Sequence, residues 1–74
     1  MTERVRGRIK WFSQGMRYGF IQRGDGLSDV FVHLNDFRHA TDALRLREGD
    51  AVEFSLEQAP KGPKAADVVV LKTH

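Results

Sequence analysis

The sequence has no cysteine, only two prolines, and no apolar run approaching the roughly 18 residues of a membrane span. Without cysteine, neither disulfides nor a thiolate metal site can staple the fold, and nothing points to an oxidising compartment. Met1-Thr2-Glu3-Arg4-Val5-Arg6 lacks the apolar segment of a signal peptide, so a cytoplasmic location with no membrane partner is expected. Histidine is scarce as well. His39 falls in a loop and His74 at the chain end, and no close carboxylate pair accompanies His33, so no metal, no cofactor, no catalytic residue and no enzymatic activity are expected. At 74 residues the chain is expected to be one domain, 1–74, near the lower limit at which a hydrophobic core suffices. The core alone then supplies a net stability of about 3 to 5 kcal/mol.

Charge is present but unevenly spread. Twelve Lys and Arg oppose ten Asp and Glu, for a formal +2 and a pI near 9.4. Arg4, Arg6, Arg8, Lys10 and Arg17 fall in the first seventeen residues, where Glu3 is the sole acid, while Asp42, Glu48, Asp50, Glu53 and Glu57 come later. This asymmetry favours one basic face meeting a polyanion; a charged strand edge that resists aggregation is the alternative.

Alternation supplies the strands. Residues 6–12 place Arg6, Arg8 and Lys10 on one side and Gly7, Ile9 and Trp11 on the other, which by parity puts Trp11 in the core and Phe12 on the basic side. Both rings can be exposed only if a bulge or strong twist intervenes. A turn at 13–17, marked by Gly15, leads to strands at 18–23 and 29–33. Residues 34–48 are ambiguous: Asn35 suits an N-cap and Gly49 a C-terminal cap, yet weak helix formers predict one helical turn near 35–38 and an extended remainder. In 51–58, Val52, Phe54 and Leu56 alternate with Glu53, Ser55 and Glu57, whose acids should face solvent. Ala59-Pro60-Lys61-Gly62-Pro63 reads as a rigid turn. A fifth strand spans 64–72, with Val68 and Val70 turned to the core and Asp67 exposed or paired. Five short strands with turns between them predict a small all-β antiparallel barrel with a short helical turn after the third strand, of SH3-like or oligonucleotide-binding (OB) type.

The two middle strands carry the functional signal. Tyr18, Phe20, Phe31 and His33 share one face, and Ile21, Val30 and Val32 the other. Branched aliphatics suit a core and leave the rings to solvent. A patch of exposed rings beside basic residues suits the flat faces of unpaired nucleobases, as on an OB barrel. The alternative, a second core beneath a helix, lacks a helix long enough to cover it. Phe37 and Phe54 are simplest as core residues.

Lys10-Trp11-Phe12, Tyr18-Gly19-Phe20-Ile21, Asp29-Val30-Phe31-Val32-His33, Gly49-Asp50-Ala51-Val52-Glu53-Phe54 and Lys61-Gly62-Pro63-Lys64-Ala65-Ala66-Asp67-Val68 together resemble the bacterial cold-shock protein family across nearly the whole chain. The resemblance implies a five-stranded OB barrel that binds single-stranded RNA and DNA and acts as an RNA chaperone. It moves Trp11 to the binding face with Phe12, Tyr18, Phe20, Phe31 and His33. It gives Lys10 the nucleic-acid backbone, and Arg8 has a basic counterpart in many members; beside Lys61, the Gly62-Pro63 turn is accounted for by structure alone, with its backbone also placed to brush a base.

This chain departs from the family pattern at four places. Ser13 replaces a usual Asn, and Met16-Arg17 replaces a usual Lys-Gly. Leu34 stands on the binding face where another aromatic is common. The loop after Phe37 is longer by one residue and lacks the usual glycine and aromatic, leaving Leu44 as the nearest apolar substitute. Losing the glycine costs of order 1 kcal/mol if residue 17 needs positive φ, while Arg17 adds a cation beside the rings. The expected activity is ATP-independent RNA chaperoning or transcription antitermination on unpaired strands, by a monomer, with a strand-exchanged dimer as the other arrangement. A peptide-binding SH3-like module using the same rings is the competing expectation. A small hydrolase comes last, for want of a nucleophile and base.

Overall fold

Apolar parity builds the barrel. The structure, a computed structural model, describes residues 4–26 and 28–71; the expectations that touch Glu3, Lys72 and His74 lie outside them. In β2 (Tyr18–Arg23) and β3 (Val30–His33), Ile21, Val30 and Val32 are fully buried, as strict alternation requires. Ile9 of β1 (Arg4–Ser13), Val52 and Phe54 of β4 (Ala51–Ala59), and Ala65 and Val68 of β5 (Gly62–Val70) join them, and Phe37 and Ala43 complete the core. The strands close in the order β1-β2-β3-β5-β4. Every seam is antiparallel except one, where β3 and β5 run parallel at Phe31 and Lys64. That exception corrects the all-antiparallel expectation, and it follows from connectivity: β4 returns antiparallel to β1, so β5 must rise in the direction of β3.

The long connection is more helical than expected. A 3-10 turn covers Leu34–Asp36, and a one-turn helix, α1, follows at Ala40–Ala43 where an extended loop was predicted. The 3-10 turn is capped by His33, not Asn35. The imidazole Nδ1 accepts the Asn35 N–H at 3.0 Å, and Asp36 Oδ2 accepts the His33 N–H at 3.0 Å. The connection is tied down by Gln14 Nε2, which donates to the Ala43 carbonyl at 2.6 Å. The predicted five-residue turn shrinks to Pro60 and Lys61, because Ala59 pairs with Gly62 and Gln58 with Pro63. Gly62 takes φ 128°, and Pro63 lies near the strand start, where a missing N–H is tolerated.

Strand β1 carries one extra residue. Ile9 lies opposite Ile21 and Trp11 opposite Phe20, so Lys10 is unpaired and parity reverses beyond it. This overturns the parity placement of Trp11 in the core: the indole joins Phe20, and Phe12 turns inward. Close approach at the bulge needs Gly19. A Cβ there would run into the Trp11 carbonyl and lie 2.7 Å from Phe12 Cα.

A second irregularity, between Glu53 and Ser55, sets Asp67 at φ 50°, a left-handed conformation that Asp tolerates better than most residues. Its carboxylate takes two hydrogen bonds from Arg38, Nε to Oδ1 at 2.9 Å and Nη2 to Oδ2 at 2.7 Å, and its carbonyl accepts from Arg4 Nη1 at 2.9 Å. Arg4 also reaches Glu53 Oε1 at 3.4 Å and the hydroxyl of buried Ser55 at 3.1 Å. Glu53 is therefore half-buried between Arg4 and Arg6 instead of facing solvent.

Two outcomes follow. In urea denaturation, Gly19→Ala lowers the unfolding free energy by about 1 to 3 kcal/mol through overpacking, whereas Gly15→Ala, with nothing within 4 Å of its new Cβ, is close to neutral. Hydrogen bonds from Arg38 hold the Asp67 carboxyl below its ordinary value, against a smaller opposing effect of desolvation. The folded-state pKa is thus depressed, so this stabilisation is complete above the ordinary carboxylate range and is lost as pH falls through it. Asp67→Asn is expected to melt earlier than the parent at pH 7, with the gap closing below about pH 4.

Candidate functional site

The outer faces of β1, β2 and β3 assemble a contiguous ring surface. Phe20 pairs with Phe31 and Tyr18 with His33 across β2 and β3, and the bulge sets Trp11 opposite Phe20. Trp11 lies 5.5 Å from both Tyr18 and Phe20, Tyr18 stacks on Phe31 at 5.6 Å with planes 28° apart, and Phe20 meets Phe31 edge-on at 5.8 Å. All four rings are half-buried. They cover one another's edges, and among the described residues no helix lies over them as a second core would require. Mutual packing of this kind fixes the rings before any ligand arrives, at about 0.5 to 1.5 kcal/mol per pair.

His33 extends the surface at the Tyr18 end. Because its Nδ1 accepts from Asn35, the neutral ring carries its proton on Nε2, as a donor. At the other end, Phe20 and Phe31 share a cleft of about 570 Å³ with Lys61, Gly62, Pro63 and Lys64, so the β4–β5 turn does come to the rings. Lys64 was not foreseen. The parallel seam puts it beside Phe31, and its ammonium lies 3.5 Å from Asp36 Oδ1; nothing local in the sequence signals that pairing.

Two predicted site residues also touch the core. Phe12 packs edge-on against Phe37 at 5.8 Å and on the core, and Leu34 also packs against the core. Both are half-buried, as the four rings are, and the ring contact of Phe12 runs to Phe37. The reason for Phe12 is the parity reversal at Lys10.

The cations are dispersed. Lys10 Nζ lies 2.8 Å from Asp29 Oδ2, a partner the sequence did not announce, although an exposed pair of this kind is worth at most about 1 kcal/mol. Arg8 Nη1 donates to the Gly49 carbonyl at 2.9 Å and lines a separate cleft with Arg6. Arg17 is exposed immediately before Tyr18, and among the described residues its guanidinium has no partner. The single basic face expected from the charge asymmetry is therefore only partly formed. β1 pairs with β4, so the early cations Arg4 and Arg6 meet the later acid Glu53.

Among the described residues, no group of three or more His, Asp or Glu side chains is placed to hold a metal ion, and no helix is long and apolar enough to cross a membrane.

Residues 5–71 match the family model described as the "Cold-shock" DNA-binding domain. The chain is similar to the cold shock-like protein CspB of Yersinia pestis, at 46% identity over 71 residues, and to CspG of Escherichia coli K12, at 43%; each alignment covers 96% of this chain and all of the relative. The fold is similar to that of Drosophila Unr CSD456, with a TM-score of 0.79 and 20% identity over 96% of this chain, which spans 28% of that one.

Arg17, standing where the resemblance places a glycine, has φ 64°. A left-handed non-glycine residue is strained by about 1 to 2 kcal/mol, partly offset by the greater unfolded-state entropy of glycine. Arg17→Gly is accordingly expected to raise the unfolding free energy by about 0.5 to 1 kcal/mol in urea; a loss of stability would show that the guanidinium anchors the turn.

Proposed function

The chain belongs to the cold-shock DNA-binding domain family, and on that footing we propose that it binds unpaired RNA and DNA by stacking bases on Trp11, Tyr18, Phe20 and Phe31. The observation that carries this reading is the interlocked ring surface, half-open to solvent and continuous with the Lys61–Gly62–Pro63 cleft. Each stacked base is worth roughly 1 to 3 kcal/mol, and any base will serve because each has a π-face. His33 offers its Nε2 proton to a base acceptor. Arg17, Lys61 and Lys10 take phosphates, Lys10 by exchanging its Asp29 partner. Phe12 and Leu34 hold the platform from below.

Such a surface discriminates by access. A duplex hides the base faces that stacking requires, so the protein prefers unpaired strands and opens weak hairpins by mass action, without ATP. This is the chemistry of an RNA chaperone or transcription antiterminator working in the cytoplasm. The ring surface is complete within one chain, which favours a monomer.

Trp11 lies within the surface and reports on it directly. Its fluorescence should be quenched by oligo-dT and not by the matching duplex, and the logarithm of the affinity should fall with that of salt at a slope near −2, for about three phosphates at −0.7 each. Indifference to oligonucleotide with binding of proline-rich peptide would replace this reading with the peptide module. Phe31→Ala should weaken oligo-dT binding by about 1 to 3 kcal/mol while the barrel stays folded by circular dichroism.

A further inference from the structure

Beyond the rings, the outer surface of β1 leads into a second cleft of about 460 Å³ at the end of the barrel, lined by Arg6, Arg8, Gln22, Arg23, Ala51 and Leu71 among others. It contains none of the ring residues. Gln22 is two residues past Phe20 on the same strand face and pairs with Arg8, so the cleft begins about 7 Å from the Trp11–Phe20 pair.

The donors here exceed their partners. Arg6 uses Nε on Glu53 Oε2 at 3.3 Å, and its side chain is 76% exposed; its two terminal amino groups have no partner among the described residues. Arg8 uses Nη1 on the Gly49 carbonyl. Arg23 is the unusual one. Its side chain is only 14% exposed, Nη2 reaches Asp25 Oδ2 at 2.7 Å, and Nε is buried with no hydrogen-bond partner among the described residues. A buried N–H left unmatched in a folded protein is uncommon and calls for an acceptor. Glu53, which Arg6 shares with Arg4, and Asp25 neutralise this group only in part. Guanidinium groups match the tetrahedral oxygens of phosphate through paired N–H donors, a geometry that a lysine cannot supply.

We propose that this cleft is a second phosphate-binding subsite, in which Arg6, Arg8 and Arg23 hold a phosphate group. Where that phosphate belongs to a nucleic-acid strand, the proposal rests on the single-strand reading above. A strand long enough to run off the rings past Gln22 then gains contacts that a short strand cannot reach. A free phosphate would use the same donors.

The experiment separates the two sources. Arg6→Gln/Arg8→Gln and, separately, Arg23→Gln are titrated through Trp11 fluorescence with oligo-dT of about 6 and about 12 nucleotides, within the range one OB barrel covers. In parallel, the arginine Nε–H resonances of the unaltered protein are followed by NMR as inorganic phosphate is added. The expected result is a loss of about three- to tenfold confined to the longer strand, with its salt slope shallower by about 0.7 per phosphate lost, and a saturable shift of the Arg23 resonance. A saturable shift with both strand lengths unaffected supports the site with free phosphate as its source. Equal loss at both lengths with no saturable shift, or no change in any measurement, overturns it. The NMR arm needs no variant, so it stands even if Arg23→Gln fails to fold. It also stands if the unaltered protein ignores oligo-dT, an outcome that defeats the single-strand reading and not the cleft.

Discussion

A single unpaired residue in β1 decides which aromatic side chains face outward. With strict alternation, Trp11 would follow Ile9 into a core already filled by Ile21, Val30, Val32, Val52 and Phe54, while Phe12 would stand outside. Lys10 bulges, the parity reverses, and the indole is delivered to Phe20 while Phe12 closes the core against Phe37. The reversal requires the neighbouring strand to approach closely, and Gly19, opposite Phe12, leaves the space. The extra residue in one strand and the missing side chain in the next form one device. The ring surface, the core edge and the position of Lys10 beside Asp29 all follow from it.

What the sequence revealed and what it concealed divide along the same line. Parity inside β2 and β3 is a property of each strand alone, so Tyr18, Phe20, Phe31 and His33 could be separated from Ile21, Val30 and Val32 by their letters, and the coordinates keep that division. A bulge is a property of two strands in register. No count along 6–12 locates it; resemblance to a known family grouped Trp11 with the rings of β2 and β3, beside which it stands, where alternation did not. The parallel seam that brings Lys64 to Phe31 is likewise a matter of closure. In the 34–48 connection, local propensity placed the first helical turn but missed α1, which has no side-chain cap of its own and is anchored by Gln14 from a distant turn.

Charge taught the opposite lesson. Five cations against one acid in the first seventeen residues suggested a basic face, yet pairing β1 with β4 sets Arg4 and Arg6 against Glu53, and Arg4 and Arg38 converge on Asp67. Segregation along a chain becomes neutralisation across a sheet whenever the oppositely charged segments are neighbours. Among the described residues, Arg17 at the β1–β2 turn and Lys61 at the β4–β5 turn have no acidic partner and stand at the margins of the rings, while Arg8, bonded to a carbonyl only, stands at the second cleft. The platform is therefore apolar with cations at its border, the arrangement on which the proposed division of base faces to the rings and phosphates to the rim rests.

The two left-handed residues that are not glycine bring backbone and function together. Glycine would relieve the strain at either position, since neither conformation needs a Cβ. At Asp67 the side chain repays the strain structurally, by receiving Arg38 and Arg4 across the barrel. At Arg17 no such contact exists among the described residues, so the fold gains nothing from the guanidinium that its strain could offset. Under the proposed function the strain has a purpose, a cation held beside Tyr18 in a turn whose carbonyl already accepts the Leu34 N–H at 2.9 Å. Stability conceded at one turn and affinity gained at the adjacent ring are, on this argument, two consequences of the same residue.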